Sequence, residues 1–146
     1  MLNKLRVRAQ SESGFTLVEL LVVMLILGLL AAIAIPTFFN QRDKAQDSDA
    51  KVEARTAETA METYATDNGG NYAGADADDL HAIEPTLPGN GGSLAVSYPG
   101  GNALYRVTAT SDTTNTFSIT RNSDGTKSLT CAPPSTDGCP AGGTWD

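Results

Sequence analysis

The sequence predicts an α+β chain: one long N-terminal helix, apolar in its first half and amphipathic in its second, packed on a small antiparallel β-sheet. Three observations lead there. From Leu20 to Ile35 no side chain is charged or strongly polar. From Asn40 to Asp67 the pattern turns to alanine and charge at helical spacing, and beyond Ser93 apolar and polar residues alternate. Whole-chain averages conceal this segregation. The 146 residues, 40% hydrophobic, carry 17 Asp+Glu against 10 Lys+Arg, a net charge of -7, and on average describe one modest acidic domain.

Lys4, Arg6 and Arg8 form a basic leader, which holds that end in the cytoplasm and sends the bulk of the chain to the far side of a membrane. Phe15 to Ile35 is 21 residues, about 31 Å of helix against a hydrocarbon core of about 30 Å. Two plain readings compete. One is a secretory signal peptide with an A-x-A site at Ala32-Ile33-Ala34 and cleavage before Ile35; the other is a simple signal anchor. Neither explains Glu19, because a carboxylate costs about 2.5–3.5 kcal/mol at the centre of a bilayer and less near its surface.

Gly14-Phe15-Thr16-Leu17-Val18-Glu19, with a basic leader before it and unbroken apolar sequence after it, resembles the processing motif of the type IV pilin family, pseudopilins of type II secretion included. The resemblance implies that a prepilin peptidase cuts between Gly14 and Phe15, N-methylates the new amino terminus of Phe15 and leaves the helix in place. Phe15 and Glu19 are four apart, on one helical face. A cation and an anion buried together cost less than either alone. The resemblance makes this pair an assembly contact, with Glu19 of an incoming subunit meeting the Phe15 amino terminus of a subunit already in the filament.

The same resemblance implies further partners: copies of this chain in a homopolymer, an inner-membrane platform, a motor ATPase, and the lipid bilayer before assembly. It also implies a single-pass protein of the cytoplasmic membrane that ends in an extracellular pilus. Expected boundaries are a leader at 1–14, a membrane or filament-core helix at 15–36, its amphipathic continuation at 37–68, and an extracytoplasmic region at 69–146. Gly28 and Pro36 are the weak points of the helix, where Pro36 removes an amide donor; in pili of the family the matching segment loses its helical hydrogen bonds.

Ala50, Ala54, Ala57, Met61 and Tyr64 follow i, i+4, i+7 spacing and give one narrow apolar stripe. Asp47 with Lys51, and Arg55 with Glu58, are placed to pair along the helix. Asn68-Gly69-Gly70 stops it, so the simplest expectation is one helix from Phe15 to about Asp67, about 75 Å long. Residues 70–92 read as loop, with one turn at Leu80 to Glu84 capped by Asp78 or Asp79. Leu94, Val96 and Tyr98, then Tyr105, Val107 and Ala109, then Phe117 and Ile119, alternate with polar residues. Turns at Pro99-Gly100-Gly101-Asn102 and Ser123-Asp124-Gly125 separate three or four strands, whose apolar face needs the alanine stripe as its cover. The result expected is the ladle shape of a pilin.

Cys131 and Cys139 lie in a Pro/Gly-rich tail that this topology places outside the cytoplasm, where a disulfide persists. Some pilins enclose a C-terminal region this way; two free thiols are the alternative. The acidic balance argues against nucleic acid, since the ten basic residues are scattered. One His and two Cys are poor material for zinc or haem, and no cofactor is expected. His81 has no nucleophile-elbow serine nearby, so no catalytic residue is assigned. The run Asp76-Ala77-Asp78-Asp79 lacks the spaced ligands and closing Glu of an EF-hand. The whole reading is a pilus subunit, with a secretion or competence pseudopilin as the alternative and a secreted soluble domain as a remote one. Loss of the leader removes three of ten basic and one of 17 acidic residues, leaving 132 residues and a side-chain charge of -9.

Overall fold

A computed structural model describes residues 14–101 and 103–145. The basic leader and the turn residue Asn102 lie outside the described residues. Two compact units divide the chain, Met1–Phe39 and Asn40–Asp146. Helix α1 spans Leu17–Asp67, so it supplies the described helix of the first unit and the spine of the second. The second unit adds α2 (Ala77–Ile83) and four strands, β1 (Leu94–Ser97), β2 (Ala103–Thr110), β3 (Thr116–Asn122) and β4 (Lys127–Ala132).

Helix α1 begins two residues later than Phe15. Thr16 is its N-cap: its carbonyl accepts from Leu20 N–H at 3.2 Å and its Oγ1 from Glu19 N–H at 3.2 Å. Two orphan donors of the first turn are thereby satisfied, which fixes the start. Gly28 and Pro36 both lie inside the helix, and Thr37 Oγ1 donates to Ile33 O at 3.2 Å in the turn that the proline interrupts. At the other end Gly69 and Gly70 take φ of 66° and 87°, and Gly70 N–H reaches back to Ala65 O at 2.7 Å. Only glycine adopts two successive left-handed positions without strain, so the stop is sharp.

The strands form an antiparallel meander in the order β1-β2-β3-β4. Tyr105, Val107, Ala109, Phe117 and Ile119 point one way and are fully buried, and Ala50, Ala54, Ala57, Ala60 and Met61 of α1 cover them. Alanine on the helix is what brings its backbone close to aromatic residues on the sheet; the large side chains come from one layer and the small ones from the other. Trp145 closes the edge. Its ring packs edge-on against Phe117 at 5.9 Å, and its Nε1–H donates to Thr130 O at 2.9 Å. Tyr98 falls just past β1, and its hydroxyl donates to the carbonyls of Tyr72 and Ala75, each at 2.8 Å.

Two expectations about charge are corrected. Asp47 does not pair with Lys51, nor Arg55 with Glu58. Lys51 donates to Gly138 O at 2.7 Å and lies over the Phe117 ring, Arg55 lies over the Trp145 ring, and Glu58 pairs with Lys127 on β4. Same-helix pairs are worth only about 0.2–0.5 kcal/mol, and tertiary partners outcompete them. The cap of the short helix is also corrected: it is Asp76, not Asp78 or Asp79. Asp76 Oδ1 accepts from Asp78 and Asp79 N–H, while Asp79 Oδ2 accepts from Asp76 N–H at 3.1 Å, a reciprocal capping box. Helix α2 therefore begins three residues ahead of the expected turn, and Asp78 instead receives Asn90.

Candidate functional site

The segment from Gly14 to Phe39 is the one whose chemistry its own unit leaves unsatisfied. Leu17 to Phe39 carries sixteen exposed large apolar side chains, among them Leu25 (74%), Ile33 (68%) and Phe38 (67%). The helix is long and apolar enough to cross a membrane. So much exposed hydrocarbon is costly in water, at about 25 cal/mol per Å², and calls for lipid or other chains around it.

Gly14, Phe15 and Thr16 precede the first helical residue, so the Gly14-Phe15 bond lies in non-helical, exposed chain directly ahead of α1. Phe15 is 78% exposed. With Thr16 as the cap, Phe15 takes the position before it and Glu19 is the third helical residue. Phe15 thus stands outside the helix rather than on its face as the spacing suggested, though both residues belong to the same N-terminal turn. Glu19 uses its backbone amide for the cap and keeps its carboxylate exposed.

The second unit holds a site that sequence reasoning missed. Asp47, in α1, is fully buried. Its Oδ1 accepts from Thr113 Oγ1–H; its Oδ2 accepts from Asn115 Nδ2–H at 2.8 Å and from Gly138 N–H at 2.7 Å. Three separate pieces of chain meet there: the helix, the β2–β3 turn and the loop closed by the Cys131–Cys139 disulfide. Burial pushes the Asp47 carboxyl up, but the hydrogen bonds from Thr113, Asn115, Gly138 and Ser111 together hold it below the usual carboxylate value. Lys51 grips the same loop from the other side through Gly138 O. A Cβ on Gly138 would lie 2.6 Å from Asp47 Cβ. Gly138→Ala is therefore expected to destabilise the unit by about 1–3 kcal/mol, read as a lower denaturant midpoint at unchanged slope.

The Asp47 network also sets an acid limit. Its folded pKa is depressed, so its contribution to stability is present above the unfolded value of about 3.9 and is lost as pH falls through the lower folded value. Denaturant titrations at pH 7 and pH 3 should show the stability gap between the parent chain and Asp47→Asn shrinking at the lower pH. Glu53 acts oppositely: burial raises it, only partly offset by the Ser93 hydroxyl. Its stabilising influence is present below the unfolded carboxylate value and is lost as pH rises through the raised folded one, so Asp47→Asn is the cleaner probe.

Elsewhere His81 Nδ1–H donates to Leu87 O at 2.5 Å, which ties α2 to the following loop. Among the described residues no group of three or more His, Cys, Asp or Glu side chains is arranged to hold a metal ion.

An exposed apolar helix that continues as the spine of a small α+β domain is a pilin-like architecture. Residues 10–35 match the prokaryotic N-terminal methylation motif. The type IV major fimbrial protein FimA of Dichelobacter nodosus is 34% identical over 113 residues, covering 68% of this chain and 70% of that protein. The chain belongs to the type IV pilin family. It is also similar to the type II secretion system core protein G of Pseudomonas aeruginosa, 39% identical over 59 residues, 40% of this chain and 42% of that one. The type IV major pilin protein PilA of Myxococcus xanthus is 43% identical over 51 residues, 35% of this chain and 23% of that one. The matches to the secretion proteins thus span about two fifths of their length. No solved structure matches the chain.

Proposed function

We propose that this chain is the structural subunit of a type IV pilus, cut between Gly14 and Phe15, N-methylated on Phe15 and polymerised through α1. One observation carries the choice of pilus. Similarity to the fimbrial protein extends over 113 residues, well beyond the methylation motif, whereas similarity to the secretion proteins covers 57 to 61. In this reading the exposed surface of α1 exchanges lipid for neighbouring helices, and Glu19 pairs with the Phe15 amino terminus of an adjacent copy. A prepilin peptidase, a membrane platform and a motor ATPase act on the chain, which is a building block with no active site of its own.

A type II secretion pseudopilus is the second reading, favoured by the 38% and 39% identities to core protein G. Shearing cells that make the chain and imaging the released material separates the two. Surface filaments containing this protein at native expression support the pilus. Filaments absent from the surface while a secreted enzyme accumulates inside a deletion strain overturn it in favour of the pseudopilus.

A further inference from the structure

The described residues include seven Lys and Arg, and five of them are committed. Lys51 holds Gly138 O and lies over Phe117, Arg55 lies over Trp145, Arg106 donates to Thr120, Arg121 pairs with Glu62, and Lys127 with Glu58. The other two, Arg42 and Lys44, are exposed, and their side chains make no hydrogen bond, ion pair or ring contact among the described residues. Asp43 between them is less exposed. They also occupy a special place in the chain, three to six residues after Phe38-Phe39, where the apolar sequence ends and the acidic domain begins.

We propose that Arg42 and Lys44 bind the headgroups of anionic phospholipids on the outer face of the membrane, fixing the depth of the subunit before assembly. The proposal rests on the reading of α1 as membrane-spanning. Helical side chains tilt toward the N-terminus, so these two reach back toward the apolar segment. Five residues of helix rise about 8 Å, and the headgroup layer on each side of the hydrocarbon is about 5–8 Å deep. A flexible basic side chain spans the remainder while its stem stays on apolar surface. Charge complementarity gives the lipid class: a domain as acidic as this one is repelled by an anionic bilayer, and two uncommitted cations at its base offset that repulsion where it is strongest.

The test uses the full chain carrying a Phe38→Trp reporter in phosphatidylcholine vesicles with one quarter phosphatidylglycerol. Either lipid is brominated in turn, and quenching is measured against the parent, whose own Trp145 is buried in the other unit. The ratio of phosphatidylglycerol to phosphatidylcholine around the reporter should exceed the bulk ratio about fivefold at low salt, the order expected for a basic residue beside an anionic surface. The enrichment should fall toward one with Arg42→Gln/Lys44→Gln or in 0.5 M salt. Enrichment that survives the double substitution, or none at all while brominated phosphatidylcholine quenches strongly, overturns the proposal. If the cations serve a second copy of the chain instead, the double substitution lowers subunit–subunit energy transfer with no change in lipid preference. Absence of quenching by either lipid defeats the membrane reading itself, a distinct outcome.

Discussion

Glu19→Ala is expected to leave the chain processed and membrane-inserted while filaments disappear from the sheared fraction. The helix start survives the change, because Thr16 Oγ1 holds the backbone amide of residue 19 and not its carboxylate, and alanine is the best helix former. Only the exposed carboxylate is lost. In the proposed assembly contact this would leave the amino terminus of Phe15 as a buried cation without its partner, at a cost of about 3–5 kcal/mol for each subunit added. At about 1.4 kcal/mol per factor of ten, the association constant for each addition falls by about two to three and a half orders of magnitude. Immunoblots of sheared and cellular fractions check this. Parent-level filaments from the variant would remove Glu19 from the assembly contact even with cleavage correct.

Asp47→Ala should be as damaging as a core truncation in the second unit. Hydrogen bonds to a charged acceptor contribute about 1.5–3 kcal/mol each and are not additive, and Asp47 accepts from Thr113, Asn115 and Gly138. Asn115 is itself buried, so its amide would be left without an acceptor. A loss of about 4 kcal/mol is expected, with the disulfide-closed loop released from the helix and its amides exchanging faster. Asp49→Ala, two residues on and exposed, should change stability by less than about 0.5 kcal/mol. Equal effects at the two positions would show that the buried network contributes little.

Much of this architecture could be read from residue order because local signals agree with the packing. The Ala50, Ala54, Ala57, Met61 stripe meets the strand residues Tyr105, Val107 and Phe117 in one core, and Asn68-Gly69-Gly70 ends the helix where the glycines turn left-handed. What stayed hidden depends on chain brought in from far away. Asp47 reads as half of an i, i+4 pair with Lys51, since nothing within the helix reveals Asn115 and Gly138, 68 and 91 residues further on. The same distance hides why Gly138 must be glycine. The Asp76 cap is legible in principle, because Asp76 and Asp79 have the spacing of a capping box with Asp in place of Glu; Asp78 and Asp79 lie nearer the apolar residues, which makes them the more conspicuous caps in the sequence. At the N-terminus, Thr16-Leu17-Val18-Glu19 has the same spacing, and taken as a cap it puts the helix start after Phe15.

The account stands on the Gly14-Phe15 bond being the one that is cut, so that the apolar helix is kept. Intact-mass and peptide mass spectrometry of the chain recovered from membranes or filaments tests that directly. The account predicts an amino terminus at Phe15 bearing one methyl group and a mature chain that retains Leu17 to Ile35. An amino terminus at Ile35, with the helix discarded, would contradict it.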